Sequence, residues 1–387
     1  MTQPATPASV PTAPLSRLWG IDVARFCAIV GMMAAHLLGW GEYTPWLEAI
    51  TSGFPSTLFA VLGGFGLVFA SRRYASAPSS WPGIAAGIAR GVVVLVLGLA
   101  LEWLPQHPIA IILVYYGTAM ILVAPLIYLR ARWLLLLATA LALLGPQLLG
   151  ALPHDGYLEL GNPVAAAQSV LFAGMYPALT WVAYLLIGVL LCRWFLAERE
   201  AGRSERAGAW LFIGGLGAGA VGWLAGWLYQ EFWWEPPWDS GAGAPVSAGW
   251  NALLQLSTHT GSTVDLVRTA GLSVALIGLC LLATARSTAV PLGWRPIVGM
   301  GAAPLTAYTL HLLMTSFGLF FAGGMSVLLE PERVGWFSIA FVVQLLVLLV
   351  GGAYLFSRQR RGPLELLVSR VAQTAGELAW GRWEPRR

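Results

Sequence analysis

Residues 19–40 read WGIDVARFCAIVGMMAAHLLGW, and the only charged or imidazole side chains among them are Asp22, Arg25 and His36. As a helix rising about 1.5 Å per residue, such a run is long enough to cross a hydrocarbon core about 30 Å thick. Comparable apolar runs recur at 54–71, 84–104, 108–128, 133–152, 170–192, 210–229, 266–285, 297–321 and 336–356, which a water-soluble core has no reason to repeat. Composition agrees. Hydrophobic residues make up 57% of the 387 positions and charged residues 10%, with a mean hydropathy of +0.71, so too few polar groups exist to coat a soluble globule. The expected fold is an all-α polytopic membrane helix bundle of about ten transmembrane helices, with the lipid bilayer as its main solvent.

All 22 basic residues are arginine, and together with the abundant Ala, Gly, Leu and Val this composition points to a GC-rich bacterial genome and a bacterial plasma membrane. The arginines fall on alternate loops: Arg17, Arg72 with Arg73, Arg130 with Arg132, Arg193 to Arg206, Arg286 with Arg295, and the tail from Arg358. By the positive-inside rule those loops are cytoplasmic, which places both termini inside. The opposite loops contain almost no arginine, Arg268 and Arg333 being the exceptions, and hold Glu42, Glu48, Asp155, Glu159, Glu231, Glu235, Asp239, Glu330 and Glu332. The same topology accounts for the pI near 9.1, so the basic balance gives no case for nucleic acid. Cys27, Cys192 and Cys280 form no CxxC pair and have no neighbouring His in sequence; neither a disulfide nor a metal site is expected. Residues 1–16 read as a disordered segment without the basic start of a signal peptide, and the first apolar run as a retained helix. Outer loops at 153–169 and 230–265 are long. The tail RGPLELLVSRVAQTAGELAWGRWEPRR sets Leu364, Leu367, Val368 and Val371 on one helical face among arginines, the pattern of a helix lying on the inner membrane surface.

An ionisable group within a span costs enough to be a functional candidate by default. Arg25, Met32 and His36 lie on one stripe of the first helix with Asp22 close beside it; the stripe carries an ion pair toward the inside and an imidazole about 16 Å further out. Interface anchoring of Arg25 by Asp22 and a structural bond from His36 is the bland alternative. All five histidines, His36, His107, His154, His259 and His311, map to the outer half or the outer loops. Imidazole suits general-base or acyl-carrying work near neutral pH, so this bias points to chemistry at that face. His107 and His154 stand beside prolines at loop corners, which favours an interfacial role. His311 follows Tyr308 by one helical turn, and both are candidates for binding substrate or for bridging helices. In STHTGSTVDLVR, residues 257–268, two readings stand. Ser262 and Asp265 form a capping box with Arg268 pairing to Asp265, or Asp265 orients His259 toward a substrate. Arg72, Arg73, Arg90, Arg130 and Arg132 could bind an anion through their guanidinium groups, or simply mark the cytoplasmic side. Trp233, Trp234 and Trp238 could stack on a sugar, or form part of an interfacial aromatic belt.

The stretch RLWGIDVARFCAIVGMMAAHLLGWG resembles the first helix of transmembrane acyltransferases, in particular bacterial relatives of heparan-alpha-glucosaminide N-acetyltransferase. In that pattern Asp is followed after two residues by Arg, then an apolar run and often an outer His; Asp22, Arg25 and His36 match. GFPSTLFAVLGGFGLVFASRR is similar to the second helix of those proteins. HTGSTVDLVRTAGLSVALIGLCLL, GMGAAPLTAYTLHLL and RGPLELLVSR resemble the YeiB-like C-terminal region often fused to that module. Where the family usually has Gly after the first-helix Arg, this chain has Phe26. The resemblance implies a module at 17–206, a second at 207–375 and a cytoplasmic tail at 376–387.

The resemblance also implies a reaction: an acyl group, acetyl foremost, passes from cytoplasmic acyl-CoA to a carbohydrate or glycolipid acceptor on the far side. On this expectation Asp22, Arg25, Arg72, Arg73 and Arg90 hold the acyl-CoA, His36, His259 and Asp265 are catalytic, and Tyr308, His311, Trp233 and Trp234 meet the acceptor. A transporter or flippase is the competing expectation, since interrupted spans such as YGTAMILVAPL and GMYPALTW suit a carrier; a non-catalytic scaffold is a third, and homo-oligomerisation is left open.

Overall fold

The computed structural model describes residues 18–38, 51, 53–105, 109–152, 162–233, 244–257, 259–287, 289–323 and 334–381. Within them nine helices are long and apolar enough to cross a membrane: α1 (Trp19–Leu38), α2 (Phe54–Ser71), α3 (Trp81–Leu101), α5 (Ala131–Ala151), α7 (Ala178–Glu200), α8 (Ser204–Trp233), α10 (Thr263–Thr284), α12 (Pro304–Ala322) and α13 (Val334–Ser357). The remaining helices are shorter, α4 (Leu113–Leu126), α6 (Pro163–Gln168), α9 (Trp250–Leu254) and α11 (Arg295–Gly301), or amphipathic, α14 (Pro363–Gly381). The chain is therefore a polytopic helical membrane bundle, and the ten expected spans correspond to the nine long helices together with α4.

Three of the expected spans differ in detail. The apolar run at 108–128 forms only the 14-residue α4, about 21 Å long. The run at 170–192 starts late, because Pro177 caps α7 and the helix then continues to Glu200. The run at 297–321 is two helices: Pro304 cannot donate to the preceding turn, so α11 ends at Gly301 and α12 begins afresh.

Lipid tails are as apolar as leucine, so close packing, more than hydrophobic burial, decides which helices meet. α1, α2, α7 and α10 are the more deeply buried spans, whereas α3, α5, α8 and α13 present most of their surface outward. Gly64 of α2 sits so close to α7 that a Cβ there would strike the Leu185 carbonyl, and Gly301 of α11 rests on the Asp22 carbonyl of α1. Phe26, which stands where the resemblance led to an expectation of Gly, is buried; the small residue that lets a helix approach this part of α1 is on its partner, Gly301 of α11. One apolar core joins Ile21, Leu58 and Leu185 from the first half to Tyr308, Leu312 and Leu348 from the second. The boundary expected after residue 206 falls in the first turn of α8, and that expected after 375 lies within α14.

α14 packs against α3 and α12. Its Val368, Ala372, Gly376 and Ala379 are buried while Leu367, Val371 and Leu378 are exposed, so it presents a second apolar side that the protein does not cover.

Candidate functional site

Two groups of polar side chains lie at opposite ends of α1. At the Asp22 end, Arg25 Nη1 donates to Asp22 Oδ1 at 3.1 Å, with Asp22 almost fully buried. One turn of α1 brings the pair together, as the spacing implied. Arg25 also lines a cavity of about 210 Å³ together with Arg90 of α3, Tyr116 of α4 and Glu365 of α14. Arg90 Nε is buried and has no hydrogen-bond partner there, an arrangement that costs free energy unless an anion or water supplies the acceptor. Glu365 is engaged elsewhere: its Oε1 accepts from the Leu305 and Thr306 backbone N–H groups at 2.6 and 3.1 Å, and its Oε2 from the Thr306 hydroxyl at 2.6 Å. It thereby caps the N-terminus of α12 and ties α14 to the bundle. Arg72 and Arg73 do not line this cavity. They pair at the surface with Glu200 at 3.3 Å and Glu377 at 3.5 Å.

At the other end, His36 of α1 and His259 line a small cavity of about 30 Å³ with Tyr176, Tyr308, Thr51 and Ser56. Nδ1 of His36 lies 3.0 Å from Nε2 of His311 on α12. The two rings are within 3° of parallel and their centres are 5.3 Å apart, a separation that puts both nitrogens on the line between the centres; the rings meet edge to edge in one plane. His311 in turn contacts Gln344 of α13, Nδ1 to Oε1 at 2.6 Å. The Tyr308 hydroxyl accepts from the Ile112 N–H at 3.3 Å.

His259 has a φ of 60°, a left-handed conformation uncommon outside glycine, and its ring packs edge-on against Tyr176 at 5.1 Å. Burial pulls its imidazole below the usual range; the Asp265 charge opposes this and the Arg268 charge adds to it. Asp265 itself follows the capping reading. The Asp265 N–H donates to Ser262 Oγ at 3.2 Å, while its carboxylate accepts from Arg268 at 2.9 Å and from the Gly261 N–H at 3.3 Å. Its influence on His259 is thus exerted through space and through the loop it holds.

Of the other candidates, Trp233 ends α8 and is exposed, with Phe232 as a ring neighbour. Trp234, Trp238, His107 and His154 lie outside the described residues. Sequence reasoning passed over Gln344, Tyr176 and Glu365. Gln344 carried a signal, as an amide within the apolar run FVVQLLVLLV; Tyr176 and Glu365 carried none that distinguishes them from ordinary interfacial residues.

The fold and these two polar ends define a class: a multi-pass membrane protein with an arginine-lined cavity and an imidazole cluster joined by one central helix. The chain belongs to the family of the heparan-alpha-glucosaminide N-acetyltransferase catalytic domain, whose family model matches residues 17–217, more than half of its length. This is a family of membrane acetyltransferases, and the match contains Asp22, Arg25, His36, Arg72, Arg73 and Arg90. No curated protein matches the chain.

Proposed function

We propose that this chain transfers an acyl group, acetyl foremost, from cytoplasmic acyl-CoA to a carbohydrate or glycolipid of the cell envelope on the opposite face of a bacterial plasma membrane. The observation that carries the reading is the placement of Arg25 and Arg90 on one cavity at one end of α1 and of His36 and His259 on another at its far end. An acyl-CoA donor is a polyanion with a long flexible arm ending in a thioester. Guanidinium groups bind phosphates through charge-assisted hydrogen bonds, and the buried Nε of Arg90 needs such an acceptor. Arg72 and Arg73, exposed near the same end, are the further phosphate contacts in this proposal, and Asp22 holds Arg25 in place.

His36 and His259 are the catalytic groups. A neutral imidazole removes the proton from the attacking hydroxyl or amine as its oxygen or nitrogen bonds to the acyl carbon. The carbon–sulfur bond breaks, and the thiolate takes up the proton. Asp265 supports His259, Tyr308 borders the acceptor position, and Trp233 with its sequence neighbour Trp234 offers aromatic faces to a sugar.

Purified protein in lipid nanodiscs, mixed with radiolabelled acetyl-CoA and envelope extracts, tests the proposal. Label should pass to an extractable saccharide or glycolipid. Failure to label any acceptor, with uptake of an intact solute instead, would replace the enzyme by a carrier.

A further inference from the structure

Gln344, His311 and His36 come from three helices, α13, α12 and α1, and form one hydrogen-bonded line. Gln344 Nε2 donates to Thr315 Oγ1 at 3.1 Å, which turns Oε1 toward His311 Nδ1 at 2.6 Å. An amide oxygen can only accept, so the proton of this short contact sits on His311 Nδ1. A neutral imidazole has one N–H, which leaves His311 Nε2 as the acceptor. The 3.0 Å contact with His36 Nδ1 then requires the proton on His36 Nδ1. By the same count His36 Nε2 is the basic nitrogen. The edge-to-edge, coplanar ring geometry is that of an N–H···N bond and not of a π stack. Gln344 and His311 are 3% and 1% exposed, so water cannot readily substitute for either partner.

We infer that Gln344 and His311 are positioning residues that hold His36 in its Nδ1–H tautomer, so that the basic Nε2 is the nitrogen that acts at the small cavity. An unrestrained imidazole in water carries its proton mainly on Nε2, where it would be a donor and not a base. The relay reverses that preference and does so from the second half of the chain, outside residues 17–217 that match the family. His311 therefore acts through His36 and not on the acceptor directly. The inference rests on the acyltransferase reading for its catalytic meaning, while the tautomer itself can be read without any turnover.

The test uses the full chain in nanodiscs with ring-15N-labelled histidine, His36 being assigned by its loss in His36→Asn. Nitrogen shifts should report Nδ1–H for both His36 and His311 in the wild type. Gln344→Met at similar size, combined with Thr315→Val, removes both oxygens that face His311 Nδ1, at 2.6 and 3.4 Å, and should return His36 to Nε2–H, whereas Gln344→Glu, which keeps an acceptor, should preserve Nδ1–H. In the transfer assay the same double variant should lower kcat about tenfold or more with KM for acetyl-CoA unchanged, as for other imidazoles held in the wrong tautomer, and Gln344→Glu should restore most of the rate. An Nε2–H His36 in the wild type, or an Nδ1–H His36 that survives Gln344→Met combined with Thr315→Val, overturns the relay. Correct tautomers in a wild type that transfers no acyl group would instead overturn the acyltransferase reading and leave the relay standing.

Discussion

Nδ1 of His36 is 3.0 Å from Nε2 of His311, although 275 residues separate them in sequence. The contact joins the first helix of the family-matched region to a helix beyond it, so neither half of the chain holds the imidazole cluster by itself. It also places His36 about 16 Å along α1 from Arg25.

That distance separates binding from transfer. His36→Ala should lower the acyl-transfer rate by about 10²-fold or more while leaving acetyl-CoA affinity nearly unchanged, since removal of a general base acts on the chemical step. Single-turnover kinetics beside equilibrium binding of labelled acetyl-CoA reads both quantities. Full transfer activity in a folded His36→Ala protein would favour a carrier.

At the other end the expected effects are reversed. Arg25→Met and Arg90→Met should each weaken acetyl-CoA binding by about tenfold or more, because a charge-assisted hydrogen bond contributes roughly 1.5–3 kcal/mol. Arg72→Met and Arg73→Met should have smaller effects, their guanidinium groups being half exposed and already paired with Glu200 and Glu377. Isothermal titration of the four variants gives the ranking; equal affinities for all four and the wild type would reduce these arginines to topology signals.

His259 predicts a pH dependence of stability. Burial, opposed by Asp265 and assisted by Arg268, holds its folded-state pKa below the unfolded value. As pH falls through about 6.5 the unfolded chain takes up this proton before the native one does, so native stability declines from there down to the folded pKa. Thermal denaturation in detergent should give a lower Tm at about pH 5.5 than at about pH 7.5, and His259→Gln should make the decline shallower. An unchanged slope in that variant would show that His259 is not a group protonated on unfolding.

Sidedness is the remaining expectation. Reporter fusions after Gly156 and after Gly243 should read outside and a fusion after Arg203 inside, as the alternation of arginines requires. A reversed signal at any one of them would overturn the span count, and reversal at all three would put the imidazole cluster at the cytoplasmic face.

The amino-acid sequence by itself determined the solvent, the helical class and the approximate position of every span, because insertion into lipid depends on local hydropathy summed over about 20 residues. It also displayed Asp22, Arg25 and His36 as one stripe, since residues on a single helix obey a fixed period. Even the capping role of Ser262 and Asp265 is a local property and was legible. Tertiary structure alone decided which helices meet, because packing in lipid turns on close fits such as Gly301 against the Asp22 carbonyl, and no periodicity encodes those. For the same reason the sequence could not tell Arg90, which shares a cavity with Arg25, from Arg72 and Arg73, which do not. Nor could it show that Gln344, a lone amide in an apolar helix, ends two hydrogen bonds away from His36. The proton position on an imidazole depends on the acceptor facing it, and here that acceptor lies on another helix.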